Sequence, residues 1–112
     1  MNDLPGWQHL FENEIQQAQA ARTAGNEGMA RVCARRAAGF VIGEYLNRQG
    51  DKYSNPSAYE RLRYLLSQPD ISPQVRDIAA HFLVRVTPNH TLPIDADLIA
   101  DAHWLQKLLI QT

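Results

Sequence analysis

The sequence predicts an all-α fold, an up-and-down bundle of four main helices plus one short helix, on three observations. Apolar side chains recur at three- and four-residue intervals through most of the 112 residues, and no stretch alternates with period two. Helix start and stop residues bracket each periodic stretch. Residues 29–46 are apolar or small around most of a helix circumference, with Arg31, Arg35, Arg36, Gly39 and Gly43 set among them. A helix with so little polar face belongs in the middle of a bundle. A chain of this length supports one core, so a single domain over residues 1–112 is expected.

The first helix starts at the Asp3-Leu-Pro-Gly segment, where Asp3 is a candidate cap and Pro5 is tolerated in the first turn. Trp7, Leu10, Phe11, Ile15 and Ala18 then recur on one face, and Gly25 closes the helix. Asn26 is a suitable N-cap for the second helix, with Glu27 placed to pair with Arg31 one turn on. That helix runs to about Asn47, with a Glu44–Arg48 pair near its end and Gly50 as its stop. The short Thr-Ala-Gly-Asn link makes the first two helices a hairpin.

A loop from Asp51 leads to the short third helix, capped by Ser54 or Asn55 with Pro56 near the first helical position. Leu62, Leu65 and Leu66 form its apolar side, and Glu60, Arg61 and Arg63 are expected in solvent. Ser72-Pro73 starts the fourth helix, whose apolar side runs from Val75 through Phe82 to Val86 and stops before Pro88. The loop of residues 87–93 holds two prolines and cannot be helical. The fifth helix starts near Asp95, with Asp97 in its first turn, and presents Leu98, Ile99, Ala102, Leu105 and Leu108.

Eleven Lys+Arg against twelve Asp+Glu exclude a strongly basic nucleic-acid coat. Nine of those cations are arginines, which favour bidentate carboxylate and phosphate contacts. The single cysteine, Cys33, lies in the apolar helix as a small core residue and fits a reducing compartment. No signal peptide and no apolar run of membrane-spanning length is read, so a cytoplasmic protein without a membrane partner is expected. His9, His81, His90 and His103 fall on different elements without ligand spacing, so no metal or other cofactor is expected. Trp7 and Trp104 are expected to close the bundle as core or rim aromatics.

Two patterns have functional potential. Gly39-x-x-x-Gly43, with Arg36 on the same side, lets a second backbone approach closely. The approaching element is a neighbouring helix of the chain, a second subunit, or a ligand, and Arg36 needs a carboxylate or an anionic ligand there. Arg31 and Arg35, one turn apart, read as a solvated basic edge. The second pattern is Arg76-Asp77-x-x-x-His81, an arginine for a phosphate and an imidazole for a proton, as metal-free phosphodiester cleavage requires. Five helical steps set Arg76 and His81 roughly 140° apart, whereas Asp77, His81 and Arg85 share a face as a charged stripe. The same arginine–histidine spacing recurs at Arg85 and His90, inside the proline loop.

The order Ala18-x-x-Ala21-Arg-x-x-Gly25, Ala30-x-x-Cys33-x-x-Arg36-Ala-Ala and Tyr45-Leu46-x-x-x-Gly50 resembles the HEPN domains, small four- or five-helix bundles. The Leu62-x-x-Leu65-Leu66 helix and the closing Asp97-Leu-Ile-x-Asp-Ala102 helix extend that resemblance over nearly the whole chain. It implies one of two functions. The first is a non-catalytic, homodimeric binding module for a nucleotide, another anionic ligand or a protein partner, accessory to a nucleotidyltransferase; the small-residue pattern of the second helix places its working surface at Arg36, Gly39 and Gly43. The second is a metal-independent ribonuclease acting on RNA through Arg76, Asp77 and His81. A purely structural protein-interaction partner is the third possibility.

Overall fold

Every regular element is an α-helix in a computed structural model that describes residues 5–89 and 91–110. The helices are α1 (Gly6–Thr23), α2 (Glu27–Arg48), α3 (Ala58–Ser67), α4 (Pro73–His81) and α5 (Leu98–Leu109). Among the described residues there is no strand, and no helix is long and apolar enough to cross a membrane. The longest element, α2, packs against α1, α3 and α5, and α4 packs against α3 and α5. Ala34, Ala37, Ala38, Val41 and Ile42 of α2 are fully buried, which places small side chains where neighbouring helices must come close. Phe11 of α1, Leu62 and Leu65 of α3, Phe82 after α4 and Leu105 of α5 complete one continuous apolar cluster.

Helix ends follow local chemistry where the sequence supplies a side-chain cap. Asn26 accepts from the Met29 amide at 3.1 Å, and Ser72 accepts from the Val75 amide at 3.1 Å with Pro73 opening α4. Gly25 and Gly50 take φ of 79° and 71°, the left-handed conformation that stops α1 and α2. Glu44 and Arg48 pair at 2.7 Å.

Three expectations about helix ends need correction. Ser57, not Ser54 or Asn55, caps α3 by accepting from the Glu60 amide at 3.3 Å, while Asn55 accepts from the Ser57 amide instead. Asp97 precedes α5 as its cap, accepting from the Ile99 and Ala100 amides, so the helix begins three residues later than Asp95. Glu27 takes a two-pronged contact from Arg22 at 2.8 and 3.1 Å, with Arg31 as a further electrostatic neighbour. Finally, α4 ends at His81 rather than continuing to Val86, and the Leu83 and Val84 amides bond three residues back to the Ala80 and His81 carbonyls as the chain leaves the helix. The proposed cap Asp3 lies outside the described residues, and α1 starts behind Pro5 without a side-chain cap.

Arg22 also reaches Asp97 at 3.1 Å, so one guanidinium joins the end of α1 to the starts of α2 and α5. Its hydrogen bonds to Glu27 hold that carboxyl below its usual range. Burial acts to raise Asp97, but the Ala100 amide, Arg22 and the Ile99 amide outweigh it and hold Asp97 low as well.

The glycine pair on α2 is filled from within the chain. Gly39 is buried against Ala58, the first residue of α3, and Gly43 lies under the guanidinium of Arg61. Arg61 donates to the Gly39 carbonyl at 3.0 Å and to the Asn55 carbonyl at 2.8 Å. It is therefore a strut between α2 and α3 rather than the solvated residue expected from its position on α3.

Candidate binding cleft

A concavity lies between the first half of α2 and the segment that connects α4 to α5, short of Gly39 and Gly43 along the helix. It has a volume of ≈ 870 Å³. One wall is the stripe Gly28, Arg31, Val32 and Arg35, spaced i, i+3, i+4 and i+7 and hence on one face of α2. The second wall includes Leu83, Val84, Arg85 and Val86, and Leu92, Leu98 and Tyr59 of α3 also line the cleft. This second wall exists because α4 stops at His81. The Thr87 amide bonds to the Thr91 carbonyl at 2.8 Å, which folds the two-proline loop back beside α2.

Arg35 sets the chemistry of the cleft. Its Nε donates to the Phe82 carbonyl at 3.2 Å, where α4 ends and the negative pole of its dipole lies. This contact orients the guanidinium and leaves its terminal nitrogens without a hydrogen-bond partner among the described residues. Arg85 likewise has no hydrogen-bond or ion-pair partner among the described residues, and it is exposed. Arg31 adds positive charge on the same wall as Arg35. Among the described residues Glu27 is the one carboxylate in the lining, and Arg22 already neutralises it. A chain with a net charge of −1 thus carries a locally basic cleft with an apolar floor.

Sequence reasoning treated Arg31 and Arg35 as a solvated edge and missed this site. A signal was present in the Gly28-x-x-Arg31-Val32-x-x-Arg35 stripe, but the opposite wall comes from residues about 50 positions later. No local pattern announces that pairing.

The residues singled out from sequence are dispersed. Arg36 is exposed and points to α1, with Nη1 4.0 Å from Glu14 Oε1, so the carboxylate it needs comes from a neighbouring helix. That oxygen is buried and accepts no hydrogen bond among the described residues. It lies beside the fully buried Cys33, whose thiol is pushed up by burial and then by the Glu14 charge. Gly39 and Gly43 are covered by α3, further along α2 than the residues that line the cleft. Trp7 is half-buried against the core, and Trp104 is exposed with Lys107 5.2 Å from its ring centre.

Arg76, Asp77 and His81 do not form one constellation. Arg76 donates from Nη1 to the Leu66 carbonyl at 2.8 Å and from Nη2 to the Gln68 carbonyl at 3.1 Å, at the end of α3. Asp77 is exposed. His81 turns to α5, with Nδ1 2.9 Å from Asp101 Oδ2. The expected stripe of Asp77, His81 and Arg85 is broken, since Arg85 lies beyond the helix; His90 lies outside the described residues. No group of three or more His, Cys, Asp or Glu side chains suited to a metal ion occurs among the described residues.

The Asp101 carboxyl is pushed above its usual range by burial, against an opposing pull from His81. A carboxyl raised in the folded state favours folding below its unfolded value of about 3.9, and that contribution is lost as pH rises through the folded value. Asp101→Asn retains an acceptor for His81 and cannot ionise. Urea unfolding is therefore expected to show the stability difference moving in favour of Asp101→Asn between pH 4 and pH 7. A difference that does not change over that interval would contradict the assignment.

No protein-family model, curated protein or solved structure matches this chain.

Proposed function

We propose that this chain is a non-catalytic, HEPN-like helical binding module whose working surface is the cleft between α2 and the α4–α5 connection, and whose ligand is anionic. The observation that carries the proposal is Arg35. An arginine anchored through Nε to a backbone carbonyl is already oriented, so less side-chain freedom is lost when its terminal nitrogens take a carboxylate or phosphate. Arg85 across the cleft supplies a second cation, and the apolar floor adds contact area.

This moves the site from the one expected. Arg36 remains a surface residue, and Gly39 and Gly43 are covered by α3, so the homodimer expected on the glycine face has no support from their placement. The ribonuclease alternative has none either, because Arg76 is engaged by α3 carbonyls and His81 by Asp101.

Amide NMR tests the proposal directly. Titration with ATP and with a short acidic peptide, each at low salt, is expected to shift cleft residues such as Gly28, Val32 and Leu83 with at least one of the two. Arg35→Ala and Arg85→Ala should each weaken binding by about tenfold, or about 1.4 kcal/mol. If neither probe perturbs the cleft, or both bind the two variants as well as wild type, the proposal fails.

A further inference from the structure

Two consecutive residues at the end of α4 each make a contact to another helix. His81, the last residue of α4, places Nδ1 2.9 Å from Asp101 Oδ2 on α5. Phe82, the next residue, offers the carbonyl that receives Arg35 Nε of α2 at 3.2 Å. Beyond it the Leu83 and Val84 amides bond back to the Ala80 and His81 carbonyls, and the chain runs on as a wall of the cleft. The anchor of Arg35 and the path of residues 83–86 thus adjoin the one residue that ties α4 to α5 through its side chain. His81 does not itself line the cleft, so it is a positioning residue.

The strength of that tie depends on charge. Histidine changes its charge between about pH 5 and 8. A hydrogen bond from an imidazolium to a carboxylate is roughly twice as strong as one from a neutral ring. A cation also suits the last turn of α4, where the helix dipole is negative. The acceptor is the more sheltered partner, with 13% of the Asp101 side chain exposed against 36% for His81. A carboxylate so placed loses most of its compensation once the ring is neutral.

The other charges nearby are divided in sign. On α5, Asp97 acts on Asp101 with like charge one turn away, and Arg22 already pairs with Asp97. On α4, Asp77 stands one turn before His81 and is exposed. Arg35 of α2 reaches the adjoining carbonyl, and Arg85 follows four residues on. No side chain of α3 bonds to His81 among the described residues.

We propose that His81 and Asp101 form a pH-dependent clasp on the cleft. Protonation of His81 tightens the end of α4 against α5, and with it the wall of residues 82–86 and the anchor of Arg35. The clasp is strongest while the ring is charged and weakens as pH rises through the histidine range, so anion capture is strongest at the acidic end. This regulates the site proposed above and rests on the cleft being the working surface.

Amide hydrogen exchange on the full chain tests the clasp without a ligand. Protection factors, corrected for the intrinsic pH dependence of exchange, are read at Leu83 and Val84. Val41 and Ile42, fully buried in α2, report global opening. Between pH 5.5 and pH 8 the Leu83 and Val84 factors should fall about fivefold in wild type, the difference between a charged and a neutral hydrogen bond. The α2 factors should hold. His81→Gln and Asp101→Asn each remove the ion pair and should each abolish most of the change, so either variant decides the matter if the other unfolds. ATP titrations at the same two pH values then compare wild type with His81→Gln, which cancels the ionisation of the probe. Wild type should lose several-fold more affinity than the variant on going to pH 8.

Wall protection that is flat with pH in wild type, or that changes as much in His81→Gln, overturns the inference. So does an equal change at Val41, which marks a general loss of stability instead of a local one. A pH-dependent wall that binds neither ATP nor the acidic peptide upholds the clasp and removes the cleft as the working surface, so the two failures are told apart.

Discussion

A Gly39→Ala chain is expected to melt below wild type, although alanine is the better helix former by about 1 kcal/mol. A methyl at position 39 would stand 2.7 Å from the Ala58 Cβ and 2.9 Å from its Cα. The second of these is backbone, so relief requires moving the start of α3 away from α2. Overpacking of this kind costs about 1–3 kcal/mol, and the larger Gly39→Leu should lie at or above the top of that range. At about 4 °C per kcal/mol for a domain of this size, the leucine variant should lose 10 °C or so by calorimetry.

Two other glycines in α2 make the comparison internal. A methyl at Gly28 would meet only Asn26 Oδ1, at 3.8 Å, so Gly28→Ala should be neutral or stabilising by up to about 1 kcal/mol. At Gly43 the obstacle is the guanidinium of Arg61, the far end of a flexible side chain, so Gly43→Ala should cost less than Gly39→Ala. An order other than Gly28, Gly43, Gly39 from most to least tolerant would mean that α3 does not sit on α2 as described.

The second large effect is expected at Arg76. Truncation to alanine removes the donors to the Leu66 and Gln68 carbonyls, leaving part-buried acceptors unpaired at the negative end of α3. Hydrogen bonds from a charged group contribute about 1.5–3 kcal/mol, and two from one side chain are not additive. A loss of about 2–3 kcal/mol in urea unfolding is the expected result, with part of it recovered in Arg76→Lys, which keeps the charge but not the planar fork. His81→Ala, which cuts a half-exposed contact to Asp101, should cost less. A function for Arg76 that depends only on bound RNA predicts instead that Arg76→Ala unfolds with wild type.

These expectations show where local and tertiary information part. The core face of α2, the buried Cys33, the Asn26 and Ser72 caps and the stops at Gly25 and Gly50 follow from periodicity and single-residue chemistry. Each of those signals is complete within one or two turns. The side-chain partners were not legible in the same way. Arg76, read as a phosphate binder, and Arg61, read as a surface charge, both hold backbone carbonyls on other helices. A long side chain can reach in several directions, and sequence spacing does not choose among them.

The same limit applies to the candidate site. The basic stripe on α2 was visible, but with nothing opposite it the stripe looked like a solvated face. The end of α4 at His81 lets residues 83–86 line the same cleft as that stripe. By itself, then, the sequence determined an all-helical chain, a small-residue helix at its centre and most helix ends. Only the tertiary structure decided that Gly39 and Gly43 admit α3 and that Arg35 and Arg85 share a cleft, because both depend on contacts between residues far apart in the chain.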